Sequence, residues 1–340
     1  MRALLIDEAG HTRLTTVPLP HAAPGEVLIR VRTVGYCGSD LNTYRGLNPL
    51  VTYPRVPGHE IAGTVERMGH SVPVAALAIG MDVTVLPYTA CGQCPACRRG
   101  RANACENNAT LGVQRDGAIT EFIAVAWEKV VAADGLPRRA LALVEPLSVG
   151  FHAVDRGRVQ ASDTVVVIGC GAVGLGAIAG AHERGARVIA VDIDDEKIAL
   201  ARRAGAEHGV NCEPASLSTH IRELTNGDGA GVVVEAVGIP GTFVAAVEAA
   251  AFTGRVVYIG YAKTPVTYDT SAFVKKELDI LGARNATMED FHAAMAMLRG
   301  GAFPVDATVS RTVSLDDAGA ALDDWHRDPR RITRIHVEIS

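Results

Sequence analysis

The chain has 340 residues, 48% of them hydrophobic and 21% charged, with 33 Lys and Arg against 38 Asp and Glu for a formal net charge of −5. That apolar content excludes a disordered chain, the interspersed charges offer no basic block for nucleic acid, and the length accommodates two domains. MRALLIDEAGHTRL at the start holds too short an apolar run for a secretory signal, and Gly, Arg and His break the longer apolar stretches before membrane-spanning length, so a cytoplasmic protein without a membrane partner is expected.

Residues 1 to about 130 are rich in Val, Ile, Thr, Gly and Pro. The short runs Glu26 to Val34, Ile61 to Glu66 and Asp82 to Leu86 read as strands joined by turns, the pattern of an irregular, barrel-like β-domain. Three residues with metal-ligand chemistry lie there: Cys37 in GYCGSDL, and His59 and Glu60 in PGHEIAG; Glu145 follows in LVEPLSVG. Singly, each reads as an ordinary buried cysteine, turn histidine, strand-edge acid or helix acid. Thiolate, imidazole and carboxylate together make a donor set suited to zinc, although spacing alone does not bring them together.

Cys91, Cys94, Cys97 and Cys105 stand as C-x2-C-x2-C-x7-C, four of the seven cysteines within residues 91–105. In a reducing compartment such crowding reads as metal ligation rather than a disulfide framework. An iron–sulfur cluster shares the spacing of the first three cysteines, but its fourth cysteine normally follows three residues later and precedes proline. A closed four-thiolate site with no open position suits a structural zinc.

From Leu141 the pattern turns to apolar helix and then to strand–helix alternation. Val165 to Ile168 runs into GCGAVG, a helical stretch follows, and Val188 to Val191 ends at Asp192. This is the opening unit of a dinucleotide-binding sheet. Gly169 makes the tight turn, Gly171 admits a pyrophosphate, and Gly174, beside Val173, permits close helix–strand packing. Asp192, eighteen positions beyond Gly174, is placed to accept from a ribose diol and to repel a 2′-phosphate, with Lys197 near the same ribose. No arginine follows Asp192 directly, which favours NAD over NADP. Further strands are expected at Arg187 to Val191, Gly209 to Asn211, Val232 to Glu235, Arg255 to Ile259 and Leu278 to Leu281, six in all with the first. A helix at Met288 to Leu298 and a strand at Thr333 to Ile339 complete the chain. The expected division is residues 1–150 with 285–340, and residues 151–284.

GYCGSDL, GHE-x-AGTVE, the four-cysteine loop, VEPLSVG and VIGCGAVGLG occur together and in order over essentially the whole chain. This combination resembles the zinc-dependent medium-chain alcohol and polyol dehydrogenases. GHE and VEPLSVG are most similar to the sorbitol dehydrogenase branch and to sugar-acid dehydrogenases of the L-galactonate type; the family's alcohol dehydrogenases carry cysteine in place of Glu145. The resemblance implies an α/β protein: a GroES-like β-rich catalytic domain, a Rossmann domain with a doubly wound six-stranded parallel sheet, and a catalytic zinc in the cleft between them. It implies two zinc ions per chain and NAD. Cys37 and His59 match zinc ligands, Glu60 a carboxylate that ligates or exchanges with water, and Glu145 an acid beside the metal. Ser39 matches the hydroxyl that contacts the substrate oxygen and begins the proton path, and Arg284 an arginine that contacts polyol hydroxyls. Asn42 departs from the family, which often has a proton-passing histidine there.

The reaction implied is reversible oxidation of a secondary hydroxyl to a ketone. Asn42, Tyr44, Arg45 and Arg284 are polar and flank the motifs, which suits a polyol or a sugar acid as the small-molecule substrate. A threonine-type amino alcohol or a simple alcohol is the alternative, and a non-catalytic NAD-binding role is the other class, opposed by the complete ligand set. Assembly as a homodimer or homotetramer, through edge strands near Arg255 to Ile259 and Leu278 to Gly282, is also implied.

Overall fold

The computed structural model describes residues 1–73, 77–329 and 332–340, and its internal contacts divide the chain into Met1–Glu145 with Val305–Ser340, and Pro146–Pro304. The division falls a few residues before the expected first boundary and twenty beyond the second. Helix Met288–Arg299 accounts for the second shift: its Phe291, Ala294, Met295 and Leu298 are buried, and its capping Asp290 pairs with buried His152 at 2.9 Å. It therefore belongs with the nucleotide unit. At the first boundary no break is visible, because helix Val144–Arg156 runs straight through it. Among the described residues no helix is long and apolar enough to cross a membrane.

In the unit Pro146–Pro304, six parallel strands lie in the order His208–Asn211, Arg187–Asp192, Thr164–Ile168, Ala230–Glu235, Ala250–Tyr258, Asp279–Gly282. Numbered by sequence this is 3-2-1-4-5-6, the doubly wound order whose reversal, beside Thr164–Ile168, opens a crevice at the carboxyl ends of the strands. Val166 stands between Ile189 and Val233, all fully buried, because a parallel sheet is covered on both faces and its strands are apolar throughout. The helices pack with little space: a Cβ on Gly176 would lie 2.3 Å from the Leu147 carbonyl oxygen, and one on Gly150 2.2 Å from the Ala177 nitrogen. Ala250–Tyr258 pairs on both sides, so the expectation that Arg255 to Ile259 forms an edge does not hold; Asp279–Gly282 is the edge on that side of the sheet.

The other unit is built on a seven-stranded sheet. Its path runs Arg311–Ser314, Ile335–Glu338, Glu26–Gly35, Glu60–Met68, Asp82–Val85, Val130–Ala132, with Phe122–Ala126 also paired to Glu26–Gly35. Ile29, Val31, Ile61, Val65, Val83, Ile123 and Val337 fill its core. The late strand Ile335–Glu338, shorter than the expected Thr333 to Ile339, pairs antiparallel with Thr33 to Gly35 and so returns the chain to its first unit.

Candidate metal centre and nucleotide site

Strand Glu26–Gly35 leads through Tyr36 to Cys37, the N-cap of helix Gly38–Tyr44. Asp40, three residues on, completes a capping box: its Oδ2 accepts the Cys37 N–H at 2.8 Å. Its Oδ1 accepts the Gly58 N–H at 3.0 Å, so one buried carboxylate ties the Cys37 turn to the His59 turn. Glu60 opens the neighbouring strand opposite Gly35, where a Cβ would come within 2.1 Å of Glu60 Oε2. Only glycine leaves room for that carboxylate. The donor atoms of Cys37, His59 and Glu60 then lie within 4.8 Å of one another.

Arg334 backs this group, donating from one guanidinium nitrogen to the Tyr36 carbonyl at 2.6 Å and to Glu60 Oε1 at 2.5 Å. Burial pushes the Glu60 carboxyl up to about 7 against the pull of Arg334. For His59, burial works downward, yet Cys37, Asp40 and Glu145 hold it well above its ordinary value. A field that favours a proton on imidazole equally favours a divalent cation among the same donors. Glu60 Oε2, His59 Nδ1 and Ser39 Oγ are buried without hydrogen-bond partners, as a group awaiting a metal and its ligand requires. These residues fit zinc. Glu145 lies outside the 4.8 Å group, and its Oε1 accepts from the buried Tyr88 hydroxyl.

In the cysteine loop, the four sulfurs of Cys91, Cys94, Cys97 and Cys105 also lie within 4.8 Å of one another. Backbone N–H groups point at them: Cys91 to Cys105 Sγ at 3.3 Å, Cys94 to Cys91 Sγ at 3.4 Å and Cys97 to Cys94 Sγ at 3.5 Å. Hydrogen bonds, first from the Gln93 backbone and then from Asn107, push the Cys91 thiol down to about 6, whereas desolvation and the neighbouring sulfurs push Cys97 up to about 11. Four sulfurs this close cannot all be anionic unless a cation sits among them, and their number and chemistry fit a closed zinc site.

In the nucleotide unit, Gly169 takes φ +97°, and a Cβ on Gly174 would lie 1.8 Å from the Gly169 oxygen. A Cβ on Gly171 would meet nothing within 4 Å, which leaves open space over the N-terminus of the twelve-residue helix Ala172–Glu183, whose second residue is Val173. That end of the helix offers N–H groups and a positive dipole to a pyrophosphate. A cavity of about 330 Å³ beside it is lined by Gly169, Gly171, Asp192, Lys197 and Thr242. Asp192 is held by the N–H groups of Cys170 and Ile193, each at 2.8 Å, with its carboxylate at the cavity wall.

Residues 23–135 match the alcohol dehydrogenase GroES-like domain family, and residues 172–300 the zinc-binding dehydrogenase family. An L-galactonate-5-dehydrogenase of Escherichia coli is 35% identical over 295 residues, covering 85% of this chain and 84% of that one. The chain belongs to the zinc-type alcohol dehydrogenase family. An erythritol/L-threitol dehydrogenase of Mycolicibacterium smegmatis is 34% identical, covering 95% of this chain and 93% of its own. The NADH complex of an Escherichia coli alcohol dehydrogenase superposes with a TM-score of 0.91 at 26% identity, covering 99% of each chain.

Within this zinc-type dehydrogenase, two of the expected substrate contacts are committed elsewhere. Tyr44 is buried, its hydroxyl donating to Asp323 at 3.1 Å and its ring set edge-on to His326. Arg45 donates to His326 Nδ1 at 2.9 Å. Both pack on helix Ala318–Arg327, because the turn of helix after Asn42 carries them to that face. Arg284 is half-buried in the nucleotide unit just after Asp279–Gly282. Ser39 stays with the metal group. Asp40, Tyr88 and Arg334 escaped the sequence reading. The acid three residues after an N-cap residue was the visible signal for Asp40; Tyr88 and Arg334 had none.

Proposed function

We propose that this dehydrogenase oxidises a secondary hydroxyl of a polyol or sugar acid to the ketone, passing hydride to NAD. The observation that carries the reading is the donor group of half-buried Cys37 and buried His59 and Glu60, with the partnerless Ser39 hydroxyl beside it. These donors would hold zinc, which would supply the Lewis acidity that lowers the pKa of a substrate hydroxyl by several units. Gly169, Gly171, Val173, Gly174, Asp192 and Lys197 would hold NAD, which would supply the hydride acceptor. Ser39, with both lone pairs and its O–H uncommitted, takes the substrate proton and passes it outward. Asn42 cannot take up a proton near neutral pH, so the path outward needs water or another group in its place. Tyr88 occupies one oxygen of Glu145 and fixes the direction of the other. Burial of His59, Glu60, Tyr88 and Glu145 keeps bulk water from them and strengthens each of these interactions.

The substrate class rests on the polyol and sugar-acid relatives and on a carboxylate rather than a thiol at position 145. Reduced-nicotinamide absorbance with NAD and a panel of polyols, aldonates, simple alcohols and threonine, with and without a zinc chelator, tests it. Turnover on a polyol or aldonate that is lost on chelation is expected; turnover confined to threonine or to simple alcohols overturns the substrate class.

Asp192 reads as the ribose ligand. Asp192→Ala is expected to weaken NADH binding by about 10- to 100-fold, the worth of charge-assisted hydrogen bonds. Fluorescence titration of NADH measures this, and an unchanged Kd removes Asp192 from the ribose. We further propose a cytoplasmic enzyme that assembles as a dimer or tetramer through the Asp279–Gly282 edge, where Ile280 is 40% exposed. Light scattering that returns the mass of one chain would rule the assembly out.

A further inference from the structure

The first unit holds a second polar cavity, of about 900 Å³, beside the strands Arg311–Ser314 and Ile335–Glu338. Its lining includes Arg2, Arg32, Arg138, Arg139, Arg311 and His336, with the acids Asp316, Asp317 and Glu338. Four of the arginines already have acids. Arg2 pairs with Asp316, Arg138 with Asp82 at 3.1 Å, Arg139 with Asp306 at 3.1 Å and Arg311 with Asp324 at 2.8 Å. Arg32 has no ion pair among the described residues, and its Nε is buried without a hydrogen-bond partner. The register of Glu26–Gly35 against Glu60–Met68 shifts between Val31 and Thr33, a bulge that re-aims the side chain at position 32.

His336 is the second unsatisfied group. It is 1% exposed, and neither ring nitrogen has a partner. Burial, with Arg334 and Arg139 nearby, pushes its pKa down to about 3, so the ring is neutral and keeps one N–H to donate. A buried imidazole with both nitrogens unmatched is costly to the fold and calls for a missing partner. A cation is repelled by the arginines, and an apolar molecule leaves Arg32 and His336 as they are. An oxyanion answers both, accepting from the guanidinium and from the imidazole N–H.

We propose that this cavity binds a doubly charged oxyanion of the phosphate class, with Arg32 as the charge partner and His336 as a neutral donor. All the residues named belong to the first unit and none to the metal group, so the site is independent of the hydride-transfer reading. The volume exceeds that of a bare phosphate, which points to a phosphorylated small molecule as the natural occupant.

Titration calorimetry of the zinc-loaded enzyme with inorganic phosphate, and separately sulfate, under saturating NADH tests the proposal. NADH occupies the helix N-terminus of the nucleotide unit and removes it as an anion site. Saturable binding is expected, weakened about tenfold or more by Arg32→Met and unchanged by Arg203→Met, an exposed arginine of the other unit. His336→Leu supplies a second readout: in phosphate-free buffer its Tm rises above wild type, because an unmatched polar group is gone, while the phosphate-induced rise in Tm disappears. Absence of saturable heat with both anions, or an Arg32→Met protein that binds phosphate as well as wild type, overturns the proposal.

Discussion

His59→Ala is expected to lower kcat by about three orders of magnitude or more, the worth of several kcal/mol of Lewis-acid stabilisation. NADH affinity should stay near wild type, since the glycine turn and Asp192 lie in a different unit. Zinc content by mass spectrometry should fall from two ions per chain to one, the four-cysteine site being untouched. Because His59 is buried, the substitution also leaves a cavity, and Cys37→Ser provides a control that changes less volume. The same loss of turnover and of one zinc is expected there. A correctly folded His59→Ala protein that turns over at the wild-type rate would remove the metal from the reaction.

Arg334→Met is expected to destabilise the first unit by about 3–5 kcal/mol, the cost of stranding one member of a buried pair. Glu60 is 0% exposed and Arg334 4%, so water does not replace the lost guanidinium. Urea denaturation measures the change. Combining Arg334→Met with Glu60→Gln should recover part of the stability, because the uncompensated charge is then gone, although the Tyr36 carbonyl remains unmatched. A double variant as unstable as Arg334→Met alone would show that the guanidinium serves chiefly the Tyr36 backbone.

The nucleotide unit was the more legible of the two in the sequence. A parallel strand covered on both faces is an unbroken apolar run, so Val165 to Ile168 and Val232 to Glu235 are found almost at their true bounds. Ala250–Tyr258 begins earlier than expected because Ala250 and Ala251 carry no strand signal of their own, and pairing with Ala230 decides the matter. The four-cysteine loop was legible because its ligands are local. The other metal group was legible only through motifs, since Glu60 and the Arg334 that holds it stand 274 residues apart. Tyr44 shows the converse: nearness to Cys37 in sequence says nothing about which helix face a side chain takes, and Asp323, far along the chain, accepts from its hydroxyl.

The path of the first sheet has a consequence for biosynthesis. Strands Arg311–Ser314 and Ile335–Glu338 are made after the nucleotide unit, yet Ile335–Glu338 lies directly against Glu26–Gly35, which is made before it. The nucleotide unit, by contrast, is one continuous segment, 146–304, with its whole sheet already synthesised before residue 305 leaves the ribosome. It is thus able to fold during translation, as domains generally do, while the first unit waits with an open sheet edge. Arg334, which holds Glu60 in place, arrives with the segment that follows the nucleotide unit. The nascent chain consequently acquires its nucleotide site before it completes the setting of its metal centre.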